Sequence, residues 1–479
     1  MRLSLTAPLA LLVLVAGCVP GVQVLDAPEA PPSTEPEFAP LTEEELAEVR
    51  EATVDVPVLY DTLGNGLKVV LSPDDSTPTA TVAVYYNVGF RIEPRGRTGF
   101  AHLFEHMMFQ GSEHLGKNEF IGLVQRNGGV LNGSTRFDFT NYFQVVPANT
   151  LETILWAEAD RMRGLDITEE NLTNQKGVVS NEVRVNVINQ PYGGFPWLDL
   201  PQAAFENWYN GHNFYGDLDD LEAATLPEVQ DFFDTYYAPN NAVLVVTGDI
   251  DPDQTMEWVE RYFGGIEPAD VPPLPDLAEP RQTEEKRVTK TDPLAQRPAL
   301  AFGYHMPPRN SPEYFAMGLL HEVLLAGDDS RLHQALVNEA GVTASVDGGV
   351  NWPLGNLFNY NGPMLWSASL IHDPGTSPDS ILAVVDREIR RIQEEGVDRD
   401  ALERAKVKFR SGFYDQLEGF GRADLLASFA LFDGDPERIN RLVDRFEAVT
   451  PGLIRRTAQE VLRPENRTVI VLETAASGS

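Results

Sequence analysis

The sequence predicts an α+β protein built from two similar halves, each with a mixed β-sheet flanked by helices. Residues 79–88 (TATVAVYYNV) are a candidate buried strand, and residues 151–162 place apolar side chains at helical spacing. A helix followed by a proline and a strand occurs at residues 237–246 and again at residues 462–471. Because each copy lies at the end of its half of the chain, internal duplication explains the match better than chance.

A proline-rich segment divides the two halves. Residues 267–279 (EPADVPPLPDLAE) have no hydrophobic period, which is typical of an interdomain linker. We therefore predict a first domain at residues 56–266, a linker at residues 267–285 and a second, homologous domain at residues 286–475. Residues 19–55, rich in proline and glutamate, are predicted to form an extended tether that ends in a short helix.

The first 18 residues have the features of an export signal. Arg2 supplies a positive charge, and residues 3–16 form an apolar run too short to span a bilayer. The run ends in Val-Ala-Gly-Cys, which resembles the lipobox of bacterial lipoproteins, so Cys18 would carry a lipid after cleavage. A plain secretory signal with a chance cysteine is the alternative. Cys18 is the only cysteine of the chain, so no disulfide is expected.

The lipobox predicts a lipid-anchored protein of the bacterial cell envelope, on the periplasmic side. Val19 follows the cysteine in place of the aspartate that retains some lipoproteins in the inner membrane, so the outer membrane is favoured. No later segment reaches the roughly 20 apolar residues of a membrane-spanning helix.

The composition is that of a globular protein with a strongly acidic surface. Hydrophobic residues make up 42% of the chain and charged residues 23%. With 37 basic and 72 acidic residues, the formal net charge is -35. This charge argues against nucleic acid as a partner, because phosphate backbones bind positive protein surfaces. An acidic surface mainly gives solubility, whereas an acidic cavity would favour basic peptides or cations.

The segment GFAHLFEHMMF, residues 99–109, places two histidines and a glutamate in an apolar run. On a helix, His102, Glu105 and His106 share one face because positions i, i+3 and i+4 project together. Two neutral imidazoles at this spacing can hold one zinc ion, and the carboxylate between them can take a proton from water. The alternative is a pair of core histidines satisfied by hydrogen bonds. A catalytic zinc also needs a third protein ligand and one open position.

Several segments together resemble the zinc peptidase family of insulin-degrading enzyme, pitrilysin and the mitochondrial processing peptidase. They are Gly89, Glu93, Gly99, residues 102–106 (HLFEH), residues 128–135 (GGVLNGST) and residues 140–142 (TNY). The resemblance extends over residues 56–471 and is closest to short, two-domain members. It implies that the two homologous domains close as a clam shell around a chamber.

The resemblance also implies a complete metal site. In the family the third zinc ligand is a glutamate in a V-V-x-x-E segment on a downstream helix, and residues 178–182 match that segment. His102, His106 and Glu182 are thus the expected ligands of one Zn2+ per chain, and Glu105 is the expected general base. Without the resemblance, Glu182 would be interpreted as one more exposed carboxylate on a helix.

Residues 128–135 resemble the edge strand on which the family's substrates lie as an added strand. Four residues are therefore expected to bind the substrate peptide: Asn132, Gly133, Ser134 and Thr135. The local sequence is equally compatible with a plain hairpin that has Asn-Gly at its turn. Residues 212–216 (HNFYG) also resemble a family segment, and we interpret them as structural.

The chain departs from the family pattern at three positions. Gln175 stands where members carry a glutamate that supports the third ligand, and we expect tuned zinc affinity because an amide can still orient a ligand. Val337 and Ala344 stand where self-sufficient members have an arginine and a tyrosine that contact the substrate carbonyl. Losing such a donor typically costs ~100- to 1,000-fold in rate. We therefore expect a homologous partner subunit that supplies both groups, or a second copy of this chain.

The sequence thus predicts a zinc-dependent endopeptidase that hydrolyses short or unfolded peptides. Two alternatives stay open. The first is a peptide-binding envelope chaperone or assembly subunit with a non-catalytic metal site. The second is a structural zinc, which would be closed by four protein ligands. The intact set of four zinc-site residues favours the peptidase, because mutations would be expected to replace some of these residues in a site that had lost its function.

Overall fold

The structure, a computed structural model, describes residues 55–475. Within this range the strands are β1 Leu59–Thr62, β2 Lys68–Pro73, β3 Thr79–Tyr86, β4 Val130–Thr135, β5 Thr140–Pro147, β6 Ala242–Gly248, β7 Lys286–Asp292, β8 Ala299–His305, β9 Asp347–Val350, β10 Leu365–Ile371 and β11 Arg467–Thr474. The predicted export signal with Cys18, and nearly all of the predicted tether, lie outside the described residues.

Most of the helices lie in runs between groups of these strands along the chain. They are α1 Phe100–Met107, α2 Glu119–Arg126, α3 Leu151–Arg163, α4 Glu169–Val183, α5 Asp199–Ala204, α6 Trp208–Gly211, α7 Leu218–Ala223, α8 Leu226–Tyr236, α9 Pro252–Phe263, α10 Pro312–Leu324, α11 Arg331–His333, α12 Pro378–Glu395, α13 Arg399–Gln416, α14 Phe420–Phe432, α15 Leu442–Glu447 and α16 Pro451–Val461. The π-helical turns Arg184–Ile188 and Gln334–Glu339 continue α4 and α11. Within residues 55–475, none of the helices combines the length and the apolar character needed to cross a bilayer.

Each half contains one mixed sheet, and the two sheets are connected in the same way. The first has the strand order β1-β2-β6-β3-β5-β4 and the second the order β7-β11-β8-β10-β9. In both sheets one parallel pair, β2 with β6 or β7 with β11, lies beside antiparallel neighbours. The junctions at residues 237–246 and 462–471 lead into β6 and β11, which supports the duplication. The predicted α+β class with two mixed sheets flanked by helices is confirmed.

The central strands of the first sheet are buried on both faces, because each face packs on other elements. The sequences of β3 (TATVAVYY) and β6 (AVLVVTG) are rich in the β-branched and aromatic residues that such strands favour. One face packs on helices of the first half, through Val82, Val84, Leu103, Phe104 and Leu155. The other face packs on α14 of the second half, through Ala83, Tyr85, Val245, Leu425 and Phe429. The two halves therefore share one continuous core.

Buried polar contacts also join the halves. Arg91 Nε lies 2.8 Å from Asp138 Oδ1, and both side chains are almost completely buried. Asp138 Oδ2 accepts from Asn361 N at 2.8 Å, and Arg91 Nη2 donates to Pro363 O at 3.0 Å. The predicted linker, residues 267–285, contains no helix or strand, and the domain boundaries drawn around it stay predictions. The linker connects two halves that are already joined by a shared core and by buried polar contacts.

Candidate metal centre and active site

Helix α1 (Phe100–Met107) carries the predicted H-x-x-E-H motif, and its start is fixed by two residues. Gly99 has φ +84°, and a Cβ atom there would lie 2.6 Å from Tyr215 O, so only glycine fits this position. The buried Glu93 carboxylate accepts from Gly99 N at 2.8 Å and from Ala101 N at 2.7 Å. These bonds satisfy two of the N–H groups that the first turn of a helix leaves free.

Helix α4 (Glu169–Val183) brings the third predicted ligand to this motif. Glu182 Oε2 lies 3.3 Å from His106 Nε2, and Glu182 Oε1 lies 3.7 Å from His102 Nε2. The ligand atoms of the three residues all lie within 4.8 Å of one another. The structure thus brings together the three residues predicted from the sequence to be metal ligands.

Glu105 lies next to the edge strand β4. Its Oε2 accepts from Thr135 Oγ1 at 2.8 Å, and a Cβ atom on Gly133 would lie 3.3 Å from Glu105 Cγ. β4 is the last strand of the first sheet and, within residues 55–475, pairs along one edge only, with β5. The predicted base and an unpaired strand edge are therefore neighbours. Asn132 and Gly133 lie inside β4, so the alternative of a hairpin turn at Asn-Gly is wrong.

The surroundings of the candidate ligands favour a neutral imidazole beside a charged carboxylate. Burial, assisted by the neighbouring His106, lowers the pKa of His102 to about 4. The hydrogen bond with His106 lowers the pKa of Glu182, although partial burial opposes the shift. At neutral pH the site therefore offers an unprotonated nitrogen and a carboxylate, which are the forms that bind a metal.

The surroundings of Glu105 suit a group that transfers protons. Burial raises the pKa of Glu105, while the Thr135 hydroxyl and the nearby His106 oppose the rise. A carboxylate whose pKa moves toward neutrality can both accept a proton and give it back at neutral pH. This is the behaviour expected of a general base that later acts as an acid.

The residues fit a zinc ion better than a set of structural hydrogen bonds. His102 Nδ1 is buried without a hydrogen-bond partner among the described residues, and His102 Nε2 lies beyond hydrogen-bond distance of Glu182. A core histidine kept for its hydrogen bonds would have partners for these atoms. Two imidazoles and one carboxylate are instead a donor set of catalytic zinc sites, which keep one position open. Within residues 55–475, no fourth histidine, cysteine or carboxylate joins the group.

Two residues that support the site were not predicted from the sequence. Tyr215 OH donates to Glu182 Oε1 at 3.1 Å, and its ring meets the His102 ring edge-on with centroids 5.0 Å apart. Burial and the Glu182 charge raise the pKa of Tyr215 to about 12, so its hydroxyl keeps the proton that it donates. Glu93 is the other, through its bonds to the start of α1. Both residues belong to segments that carry the family resemblance, which is the one signal that could have selected them.

Other predicted site residues have no direct contact with the candidate ligands. The buried Gln175 donates to Asn174 Oδ1 at 2.8 Å, and none of its hydrogen bonds within the described residues reaches the metal-binding group, so its supporting role stays a prediction. Asn132 is exposed and accepts from Gly133 N at 3.0 Å, and Ser134 Oγ donates to the neighbouring strand. Their contacts with substrate also stay predictions.

Replacing Tyr215 by phenylalanine should lower the zinc affinity roughly 10- to 100-fold, the usual effect of removing a hydrogen bond to a metal ligand. The ring packing against His102 stays, so the change isolates the bond to Glu182. Competition with a chelator of known affinity measures the effect. Tyr209→Phe is the control, because this tyrosine lies six positions earlier and, within residues 55–475, has no hydrogen bond or ring contact with the candidate ligands. Equal affinities of the two variants would refute a positioning role for the Tyr215 hydroxyl.

Two models of protein families match successive segments of the chain. A sequence model described as Insulinase (Peptidase family M16) matches residues 68–192, and one described as Peptidase M16 inactive domain matches residues 223–409. The four residues of the candidate site lie within the first match and none lies within the second. The two matches together span most of the described chain.

Relatives and solved structures extend the likeness over nearly the whole fold. The zinc protease PqqE of Helicobacter pylori is 26% identical, over 86% of this chain and 92% of that protein. The uncharacterized zinc protease SCO5738 of Streptomyces coelicolor is 24% identical, over 84% of this chain and 86% of that protein. A protease structure from Helicobacter pylori has a TM-score of 0.80 at 24% identity and covers 87% of this chain and 100% of its own. The periplasmic protease PqqL from Escherichia coli has a TM-score of 0.70 at 15% identity and covers 88% of this chain and 48% of its own.

The fold is shared with solved proteases, and the zinc proteases among the relatives support the class of metallopeptidases. Both family models that match the chain describe domains of M16 peptidases. The chain belongs to peptidase family M16.

Proposed function

We propose that the protein is a zinc-dependent endopeptidase that hydrolyses short or unfolded peptides. One observation carries the proposal: His102, His106 and Glu182 converge on one point, with Glu105 beside them at an unpaired strand edge. The zinc proteases among the relatives support the same chemistry.

Each residue of the site has a separate role in hydrolysis. His102, His106 and Glu182 hold one zinc ion, and Tyr215 orients Glu182 through its hydroxyl. The bound zinc supplies Lewis-acid polarisation of the peptide carbonyl and of water. Glu105 accepts the proton of the attacking water and returns it to the departing amine. The hydrogen bond from Thr135 Oγ1 of β4 holds the Glu105 carboxylate in one orientation during the proton transfer.

The free edge of β4 offers main-chain N–H and C=O groups to an extended peptide. A peptide that adds there as a strand gains affinity from main-chain hydrogen bonds, with little demand on its sequence. Gly133 of this strand lies against Glu105, so the added strand would run past the base. In a folded protein most of the main chain is already hydrogen-bonded within its own helices and sheets, so this mode of binding favours short or unfolded substrates.

We further propose that the enzyme works as a pair of chains. The two halves of one chain pack on each other through a shared core, so they do not enclose a chamber between them as the resemblance implied. A chamber that closes around a peptide would then need a second chain. Val337 lies in the π-helical turn Gln334–Glu339 and Ala344 is exposed beyond it. Neither side chain can donate a hydrogen bond to a substrate carbonyl. A homologous subunit that supplies an arginine and a tyrosine, or a second copy of this chain, would complete the site.

The proposed place of action is the cell envelope, with a lipid on Cys18 as the anchor. The lipobox-like sequence before Cys18 supports this, and so does the fold likeness to a periplasmic protease. The segment at residues 19–55 would then hold the catalytic body away from the membrane surface.

Hydrolysis of a quenched fluorescent peptide library by the zinc-loaded chain tests the proposed activity. We expect cleavage that a chelator abolishes and that added zinc restores. A protein substrate offered in folded and unfolded form should be cleaved only when unfolded. Cleavage that survives removal of the metal would contradict the proposal.

The same assay distinguishes the two kinds of pair. Activity per chain that rises with protein concentration indicates that a second copy completes the site. Stoichiometric zinc without cleavage at any concentration indicates that the pair requires a different subunit. Full activity at concentrations where the chain is monomeric, measured by light scattering, would overturn the paired arrangement.

A further inference from the structure

Arg136, beside the candidate site, is a cation whose side chain has no hydrogen-bond or ion-pair partner in the described part of the chain. It follows β4 directly, is partly buried, and makes no side-chain hydrogen bond or ion pair with any residue of 55–475. Deeply buried arginines elsewhere each have a carboxylate within ion-pair distance: Arg91, Arg161, Arg309 and Arg467. A guanidinium that leaves water without a partner is costly, so the unused donors of Arg136 indicate a ligand.

The pleat of β4 determines where Arg136 lies relative to the base. Gly133 and Thr135 face Glu105, whereas Ser134 bonds across to the neighbouring strand. Arg136 comes two positions after Ser134, so it falls on the face opposite Glu105. The edge strand therefore has the candidate base on one face and a free cation on the other.

The negative groups around Arg136 do not pair with it. Glu105 and Asp424 interact with it electrostatically from beyond ion-pair distance. Asp424 is already engaged, because it accepts from Tyr85 OH at 2.7 Å. Burial lowers the pKa of the Arg136 guanidinium, and the two carboxylates oppose the fall. The charge stays in place while the donors stay free.

We propose that Arg136 binds a carboxylate group of the substrate peptide; the inference rests on the proposed peptidase function. A strand added to β4 alternates its side chains between the two faces, so the residue next to the one that faces Glu105 points toward Arg136. A guanidinium can bind a carboxylate through two parallel hydrogen bonds, which a lysine cannot do. The enzyme therefore prefers peptides with a carboxylate next to the cleaved bond.

The carboxylate has two sources, an acidic side chain or the C-terminus of the peptide. Peptides that carry Glu or Gln at successive positions around one cleavage site test the side chain. The same peptides with a free or an amidated C-terminus test the terminal carboxylate. The two peptides of each pair differ in charge but have nearly the same shape.

Binding of these peptides is measured on the full, zinc-loaded chain carrying Glu105→Gln, so that cleavage does not interfere. We expect one carboxylate peptide to bind on the order of ten-fold more tightly than its neutral counterpart. Arg136→Gln should remove this difference, Arg136→Lys should keep part of it, and Arg136→Glu should reverse it in favour of a Lys peptide. Arg126→Gln, at the exposed end of α2, is the matched control and should leave the difference unchanged.

Two outcomes would overturn the inference: equal binding of the charged and neutral peptides, or a preference that survives Arg136→Gln. Zinc content shows whether each variant is folded, and Arg136→Lys, which keeps the charge, covers the case in which Arg136→Gln does not fold. A chain that binds carboxylate peptides through Arg136 but cleaves none would retain the inference and lose the peptidase proposal. A chain that cleaves the charged and the neutral peptides equally would retain the peptidase proposal and lose the inference about Arg136.

Discussion

Replacing Glu105 by glutamine should lower kcat/KM for peptide hydrolysis by roughly 100- to 10,000-fold. Glutamine has the same shape, and its amide oxygen can still accept from Thr135, but it cannot take a proton from water. The candidate zinc ligands are unchanged, so the zinc content should equal that of the parent chain. Hydrolysis of a quenched peptide and metal analysis of the same sample measure both quantities.

Glu170→Gln is the matched control for this substitution. Glu170 is exposed in the first turn of α4, the helix that also carries Glu182, so the same charge is removed from an element of the site. Rate and zinc content should both stay at the parent's values. Hydrolysis by the Glu105→Gln variant at a rate near the parent's would show that another group moves the proton. Loss of zinc from that variant would make Glu105 part of the metal site instead.

Replacing Asp138 by asparagine should lower the free energy of unfolding by about 3–5 kcal/mol. Asp138 is 7% exposed and lies 2.8 Å from Arg91 Nε, and its other oxygen accepts from Asn361 N of the second half. The substitution leaves the Arg91 guanidinium buried without a counter-charge and weakens a contact between the halves. Chemical denaturation followed by tryptophan fluorescence measures the change.

An exposed ion pair provides the control for this stability measurement. Asp373 lies 2.6 Å from Arg297, with 59% and 41% of the two side chains exposed. Because solvent screens such a pair, Asp373→Asn should cost less than about 1 kcal/mol. Equal losses in the Asp138 and Asp373 variants would mean that burial does not determine the contribution of the Arg91–Asp138 pair.

Local patterns in the sequence predicted the elements that carry the site. The spacing of His102, Glu105 and His106 placed them on one helix face, and the structure has that helix at Phe100–Met107. The strand predicted at residues 79–88 is β3 of the first sheet. These predictions succeeded because a helical or strand period depends on neighbours only a few residues away.

The contacts that complete the site join segments far apart in the chain, and no local period reveals them. Glu182 was selected by family resemblance alone. The bond from Tyr215 depends on how residues 212–216 pack against α1, whereas the sequence of this segment by itself favours a structural role. Arg91 and Asp138 are ordinary charged residues in the sequence, and they become a buried pair only when both halves fold together.

The core shared by the two halves changes what the segment at residues 267–285 has to do. One face of the first sheet covers apolar side chains of α14, mainly through its central strands, so separating the halves would expose both surfaces to water. That cost is the same whether or not the connecting segment is intact. The segment serves assembly, since it keeps two complementary pieces at high local concentration while they fold. If the enzyme works as the proposed pair, an opening that admits a peptide would lie between the two chains and would leave the shared core of each chain closed.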